Sequence, residues 1–230
     1  MWPEVALILG AYLFGALPVL FLMGKLKGVD LREQGDLHLA LWNMMGPAIG
    51  GLGIAADVAK GVIVVLVAKA LDFDIAVVGA AGMATVIGQM WPAYIKGTGE
   101  KGNSTGLAMA FALAFEPFLV AAVPPMLIGL GVRTIPRLLD PSQPLAQRLK
   151  FGGAPSQSLP LGMAIGFAVL PLGTWLVQSE DTLPIALTFL ALFISIMIRR
   201  LTADLKEDLK TATDVKRILI NRLLYDRSYL

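Results

Sequence analysis

Long apolar runs are the feature that most limits what this chain can fold into. Seven of them alternate with polar connections, at about residues 5–23, 52–70, 75–95, 104–115, 118–132, 160–177 and 183–198. About 20 apolar residues suffice for a helix to cross the hydrocarbon core of a bilayer, and hydrophobic residues make up 56% of this chain. A mean hydropathy of +0.71 excludes an ordinary soluble domain. The sequence therefore predicts an all-α integral membrane protein with seven transmembrane helices.

The positive charges of the connections alternate along the chain. No lysine or arginine precedes the first run or lies in residues 116–117 and 178–182, and the turn after the second run has only Lys69. The rich connections are residues 24–43, 96–103, 133–159 and 199–230. Because cytoplasmic loops carry the excess of positive charge, we expect the N-terminus outside, the C-terminus in the cytoplasm, and the long motif loops on the cytoplasmic side.

The end of the chain has a different character from the rest. We expect residues 1–200 to form the membrane domain and residues 201–230 to form a cytoplasmic amphipathic tail, because leucines recur there at helical spacing among lysines and arginines. Such a helix can lie on anionic headgroups or pack against the inner loops. The sequence leaves both arrangements open.

The residue types that the chain lacks exclude several kinds of chemistry. It has no cysteine and one histidine, His38, so disulfides, thiolate catalysis and multi-histidine metal sites are excluded. It has no Gly-x-Ser-x-Gly nucleophile turn that would point to a serine hydrolase. We predict no cofactor, no metal and no nucleic-acid partner. The absence of an internal repeat argues against a transporter with two equal halves.

The connection at residues 88–106 is the best candidate for a binding site. It combines Gly99 and Gly102 with Lys101, and Ser104 and Thr105 precede the next apolar run. Glycines let successive N–H groups converge on one anion, and a helix N-terminus capped by Ser104 or Thr105 is itself an anion site. The pattern favours a phosphate cradle at a membrane surface. The alternative is a tight turn between two spans.

Two other segments carry polar residues in unusual places. Asp57 and Lys60 lie one turn apart inside an apolar run, where charges are costly and have a function or a partner. A functional pair and a purely structural ion pair are equally compatible with the pattern. The glycines and serines at residues 152–158, ending in Ser158, could form a second wall of a phosphate site or the entry of a helix.

Three segments together resemble the PlsY family of bacterial membrane acyltransferases, which move a fatty acyl group from acyl phosphate to glycerol 3-phosphate. Residues 24–35 are similar to the stretch that leads into the family's first motif, where Gly35 and Asn43 match. Residues 57–61 are similar to its Asp-x-x-Lys-Gly. Residues 88–105 are similar to Gly-His-x-Phe-Pro followed by Lys-Gly-Gly-Lys-Gly, with matches at Gly88, Pro92, Gly99, Lys101, Gly102 and Thr105.

The resemblance implies a role for each matching residue. Lys101 and Asn43 would be catalytic, with Lys101 stabilising the departing phosphate and Asn43 holding the acceptor. The implied phosphate-binding residues are Gly35, Gly99, Gly102, Ser104, Thr105 and Arg217, while Asp57, Lys60, Gly88 and Pro92 belong to the supporting motifs. The chain departs from the family pattern at Asp36, His38, Gln89, Thr98 and Glu100.

We therefore expect an acyltransferase of phospholipid synthesis in the bacterial inner membrane. Its partners would be acyl phosphate, glycerol 3-phosphate and membrane lipids. One alternative is a non-catalytic or redirected paralogue that binds a lipid or another partner on the same scaffold, which the two carboxylates Asp36 and Glu100 favour. A second alternative is a small-molecule transporter.

Overall fold

The computed structural model describes residues 1–26, 28, 37–95, 99–148, 158–203, 205–210 and 214–226, and every regular secondary-structure element among these residues is a helix. A short 3₁₀ turn lies at Ala93–Ile95. The α-helices are α1 (Trp2–Gly15), α2 (Val19–Leu26), α3 (Leu37–Met45), α4 (Pro47–Ala70), α5 (Ile75–Met90), α6 (Asn103–Leu113), α7 (Phe115–Leu139), α8 (Leu145–Arg148), α9 (Ser158–Val177), α10 (Thr182–Thr202), α11 (Leu205–Lys210) and α12 (Val215–Tyr225). One turn of α7, Phe118–Ala122, is a π-helix.

The apolar helices make this a multi-pass membrane protein. Five stretches are long and apolar enough to cross a bilayer: Trp2–Leu26, Pro47–Ala70, Phe115–Leu139, Ser158–Val177 and Thr182–Lys210. The predicted all-α membrane fold is confirmed. The count of seven crossings stays a prediction, because α5 has 16 residues and α6 has 11, fewer than the roughly 20 that a crossing needs.

The first apolar run is two helices, where the sequence predicts one. The break falls at residues 16–18, since the ring of Pro18 cannot follow a helical turn without clashing with the carbonyl four residues earlier. A consequence is that the carbonyl of Leu17 is available to a side chain from another helix. Lys60 uses it, as described below.

Two further boundaries differ from those predicted. The stretch after the first run is predicted as a polar loop, but part of it is α3, which buries Leu37, Ala40 and Leu41. The break predicted at residues 116–117 lies earlier, at Ala114, whose backbone is extended. Pro117 stands in the first turn of α7, where a proline costs no hydrogen bond.

The chain divides into two compact units. Unit 1 comprises Met1–Phe115 with Glu180–Leu192, and unit 2 comprises Glu116–Ser179 with Phe193–Leu230. Within unit 1, α5 is the most buried helix and packs against α1, α4 and α6. The contact with α1 is backbone to backbone, because a Cβ on Gly88 would lie 2.2 Å from the carbonyl oxygen of Tyr12.

Lys69, the one positive charge at the connection between α4 and α5, has a structural role. Its Nζ donates to the carbonyl oxygens of Ala112 and Leu113, both at 2.8 Å. These are the last carbonyls of α6, which have no partner within the helix. Lys69 therefore caps the C-terminus of α6 from α4.

Unit 2 is organised around two buried arginines. Arg200 of α10 donates to the carbonyl oxygens of Pro160 (3.2 Å) and Leu223 (3.1 Å). Arg222 of α12 pairs with Asp208 of α11 and also donates to the carbonyl oxygen of Ala203. The C-terminal helices are thus packed against the rest of unit 2 through buried hydrogen bonds, which favours the packed arrangement over a helix that only lies on headgroups.

Candidate active site

A small cleft lies in unit 1 where four segments meet. They are the break between α1 and α2, the middle of α4, the end of α5 and the loop at residues 99–102, which we call the glycine loop. The cleft has a volume of about 20 Å³, which is room for about one water molecule. Its lining residues are Gly15–Phe21, Lys60, Gln89, Pro92, Gly99 and Glu100.

Lys60 connects three of these segments. Its side chain is buried, and its Nζ donates to the carbonyl oxygen of Leu17 and to Oε1 of Gln89, both at 2.8 Å. Its third neighbour is Oδ1 of Asp57, one turn earlier on α4, at 3.2 Å. Two of the three ammonium protons are therefore donated to the oxygens of Leu17 and Gln89, and the carboxylate of Asp57 balances the charge as an ion pair.

The geometry extends the prediction for Asp57 and Lys60. Their ion pair exists, but it is not self-contained, since Lys60 also binds α5 and the break after α1. A buried pair of this kind is stable only when further hydrogen bonds satisfy its polar atoms. Because Lys60 contacts oxygens of α4, of α5 and of the break after α1, it positions the walls of the cleft.

The sequence did not single out Gln89 or Leu17 as partners of Lys60. Gln89 stands where the resembled motif has a histidine. Its side-chain oxygen accepts a hydrogen bond from Lys60. Its backbone oxygen also accepts from the N–H of Glu100 at 3.1 Å. Gln89 therefore holds both the lysine and the glycine loop. The charged pair of Asp57 and Lys60 inside an apolar run was the only signal in the sequence that further polar partners exist.

The glycine loop lies against the end of α5. A Cβ on Gly99 would come within 2.1 Å of the backbone oxygen of Gln89 and 2.5 Å of Cδ of Pro92, so only glycine fits. Gly102 has φ +73°, a left-handed conformation that glycine adopts without strain. The loop therefore has one defined path into α6, at least from Gly99 onward.

The predicted cap at the start of α6 is wrong. The helix begins at Asn103 with Gly102 as its N-cap, and no side chain caps it. The hydroxyl of Thr105 instead donates to the carbonyl oxygen of Asp57 at 3.0 Å, fully buried between α6 and α4. Thr105 thus commits its only proton to helix packing, whereas Ser104 is half-buried.

The remaining predicted residues fall in several places. Lys101 is half-buried in the loop, and Pro92 is buried in the cleft wall. Asn43 is exposed on α3 and is not among the lining residues of the cleft. Gly35 lies outside the described residues.

Two predicted phosphate-binding residues belong to unit 2. Ser158 is half-buried as the first residue of α9, and Arg217 is exposed in the first turn of α12. The arginines that α10 and α12 bury are Arg200 and Arg222, which the sequence analysis did not assign to the site. Their hydrogen bonds to backbone carbonyls give them a structural role.

Known proteins with similar sequences are glycerol-3-phosphate acyltransferases. The family model described as glycerol-3-phosphate acyltransferase matches residues 5–141. Glycerol-3-phosphate acyltransferase 4 of Dehalococcoides mccartyi is 26% identical over 231 residues, which cover 96% of this chain and 88% of that relative. A glycerol-3-phosphate acyltransferase of Rubrobacter xylanophilus is 37% identical over 114 residues, 48% of this chain and 57% of that relative.

Solved structures show the same fold. The crystal structure of PlsY (YgiH), an integral membrane glycerol 3-phosphate acyltransferase, in its lysophosphatidic acid form is 22% identical with a TM-score of 0.66. The match covers 91% of this chain and 93% of that one. The glycerol 3-phosphate form is 23% identical with the same TM-score and covers 91% and 92%. The chain described here belongs to the glycerol-3-phosphate acyltransferase family, the PlsY family that its motifs resemble.

Proposed function

We propose that this protein transfers a fatty acyl group from acyl phosphate to glycerol 3-phosphate and so makes lysophosphatidate for phospholipid synthesis. The proposal rests on membership of the family, on the activity that the names of its relatives state, and on one observation in the site. That observation is the position of the glycine loop. The close approach of Gly99 and the Gln89–Glu100 hydrogen bond fix it beside Lys60 and its partners Leu17, Gln89 and Asp57, which we call the Lys60 cluster.

The reaction needs positioning and charge stabilisation more than a nucleophile from the protein. An acyl phosphate is an activated mixed anhydride, so the hydroxyl oxygen of glycerol 3-phosphate can attack its carbonyl carbon directly. One ester C–O bond forms and the C–O bond to phosphate breaks. The phosphate leaves with the bonding electron pair, and the hydroxyl proton balances its charge. Groups that hold two anions close together supply the catalysis.

The residues of this chain divide that work in the proposal. Lys60, Gln89 and Asp57 fix the walls, while the side chain of Lys101 and the backbone N–H groups of Lys101 and Gly102 stabilise the departing phosphate. Asn43 would hold the acceptor. The further phosphate contacts that we propose at this site are made by Gly35 and Ser104, whereas Thr105 serves the packing of α6 on α4. The phosphate-binding roles of Ser158 and Arg217, which belong to unit 2, stay predictions.

A direct test compares Lys101→Ala with the wild-type protein in detergent, supplied with hexadecanoyl phosphate and labelled glycerol 3-phosphate. Lys210→Ala is the matched control, because that lysine is exposed and pairs only with Glu207 among its described contacts. We expect at least a hundredfold loss of lysophosphatidate formation in Lys101→Ala and none in the control, since a lost stabilising donor costs about 10²–10³ in rate. Equal rates in both variants would contradict the role of Lys101.

A redirected paralogue remains the second candidate because Glu100 lines the cleft. A carboxylate there opposes the binding of two phosphates. Glu100→Gly restores the residue that the resembled loop carries. If the wild-type protein is an acyltransferase, this variant should lower the KM for acyl phosphate. If the wild-type protein has no acyltransferase activity and Glu100→Gly has it, the result would favour the paralogue.

The topology is part of the same proposal. We propose seven crossings of a bacterial inner membrane, with the N-terminus outside and the C-terminus in the cytoplasm, supported by the alternation of positive charges. Reporter enzymes that are active on only one side of the membrane can be fused after Leu230. We expect activity from the cytoplasmic reporter and none from the periplasmic reporter. Activity outside the inner membrane would overturn the orientation.

A further inference from the structure

The outward side of α12 combines apolar and basic residues. Lys216, Ile220 and Leu224 recur at every fourth position and are exposed, as is Arg217 beside them. Residues four apart lie on the same side of a helix. Ile220 and Leu224 are 43% and 40% exposed, so this side presents two aliphatic groups next to two positive charges. We refer to these four residues as the α12 face.

The other side of α12 is fixed to unit 2. Arg222 is buried, pairs with Asp208 and donates to the carbonyl oxygen of Ala203. The carbonyl oxygen of the next residue, Leu223, accepts from Arg200 at 3.1 Å. The helix cannot turn the α12 face inward without breaking these hydrogen bonds, so the face stays exposed.

The same hydrogen bonds set the height of α12 relative to the bilayer. Arg200 lies in the last turn of α10, and it also donates to the carbonyl oxygen of Pro160 in the first turn of α9. The helices α9 and α10 have 20 and 21 residues, which is enough to cross the hydrocarbon core. The turn of α12 that follows Ile220 is therefore level with the ends of two membrane helices.

The positive charges of the α12 face exceed the negative charges near them in the chain. Residues 211–225 contain one carboxylate, Asp214, which accepts from the backbone N–H of Arg217 at 3.1 Å and caps the start of α12. On α11, Glu207 pairs with Lys210. Lys216 and Arg217 thus give an excess of positive charge at the level where anionic lipid headgroups lie.

We propose that the α12 face binds the headgroups of anionic phospholipids in the surrounding leaflet. Lys216 and Arg217 meet the headgroup phosphates, while Ile220 and Leu224 reach the boundary with the acyl chains, as in helices that lie in the membrane interface. The bilayer then covers the side of α12 that the protein leaves open. Arg217 is predicted above to bind a substrate phosphate. Free glycerol 3-phosphate presents the same chemistry, so the experiment separates the two sources.

The test uses a single fluorescent label, because the chain has no cysteine. Leu224→Cys carries bimane on the α12 face, and Lys210→Cys is the matched control at an exposed residue of α11 outside that face. The proteins are reconstituted into phosphatidylcholine vesicles that contain phosphatidylglycerol or phosphatidylcholine brominated near the headgroup end of the acyl chains. Quenching of the bimane gives the relative association constant of the two lipids.

We expect at least about a fivefold preference for phosphatidylglycerol at residue 224, because one basic residue near an anionic surface contributes about that factor. We expect no preference at residue 210. Equal preferences at the two positions, or no quenching at residue 224, would overturn the proposal.

Two further arms identify what causes the preference. Lys216→Glu combined with Arg217→Glu should abolish it, and high salt should weaken it in the unchanged face, since exposed charges are screened. A preference that survives both changes would overturn the proposal. Excess glycerol 3-phosphate should leave the preference unchanged, whereas its loss would identify the free substrate phosphate as the ligand and contradict headgroup binding. None of these measurements needs turnover, so their outcome is independent of the proposed acyl transfer.

Discussion

The Lys60 cluster offers the sharpest prediction about what holds unit 1 together. Lys60→Met keeps most of the side-chain volume but removes the ammonium group from Leu17, Gln89 and Asp57. Removing one partner of a buried ion pair costs about 3–5 kcal/mol, because the other charge stays buried. We expect a loss of stability in that range, together with a loss of acyl transfer as the break after α1 and the end of α5 separate.

The assay is equilibrium unfolding in mixed micelles of dodecyl maltoside and SDS, followed by the fluorescence of the four tryptophans. The cycle contains Lys60→Met, Asp57→Asn and the double variant. The double variant should be more stable than the sum of the two single losses implies, by about 1–3 kcal/mol, because it buries no unpaired charge. Lys210→Met, at an exposed pair, should unfold like the wild type. A Lys60→Met protein as stable as Lys210→Met, or strictly additive losses, would refute the reasoning.

Three further predictions concern the loop and the packing around it. Gly99→Ala should reduce acyl transfer at least tenfold without unfolding the protein, because the methyl group would push the loop away from α5; unchanged kinetics would contradict the close approach. Thr105→Val should cost about 1–3 kcal/mol in the same unfolding assay, since the carbonyl of Asp57 loses a buried donor, whereas Thr105→Ser should restore most of it. Lys69→Met should increase hydrogen exchange at the C-terminal end of α6, because two terminal carbonyls lose their cap, and exchange that stays at the wild-type rate would contradict that role.

Local pattern was enough to predict the parts of this protein that local physics decides. Apolar runs identified the membrane helices, and the spacing of Asp57 and Lys60 identified their ion pair. The glycine turn was visible because Gly99 and Gly102 stand close together with a lysine between them. Each of these features depends on neighbours within a few residues.

Long-range contacts decided what the sequence could not predict. The partners of Lys60 lie 29 and 43 residues away in the chain, and no periodicity indicates them. Thr105 looked like a helix cap because it stands near the start of α6. Its actual partner, the carbonyl of Asp57, is set by the packing of α6 against α4. The role of Lys69 could not be predicted either, because the carbonyls that it caps belong to another helix. The helix α3 was missed because its apolar run of nine residues is too short for a membrane span and directly follows a polar stretch.

The most direct test of the whole account is the stoichiometry of the reaction in purified protein reconstituted into vesicles. Hexadecanoyl phosphate and glycerol 3-phosphate are supplied, and lysophosphatidate and inorganic phosphate are measured together. The account predicts one phosphate released for each lysophosphatidate formed, and neither product above background in Lys101→Ala. Phosphate release without lysophosphatidate, or acyl transfer that does not need acyl phosphate, would contradict it.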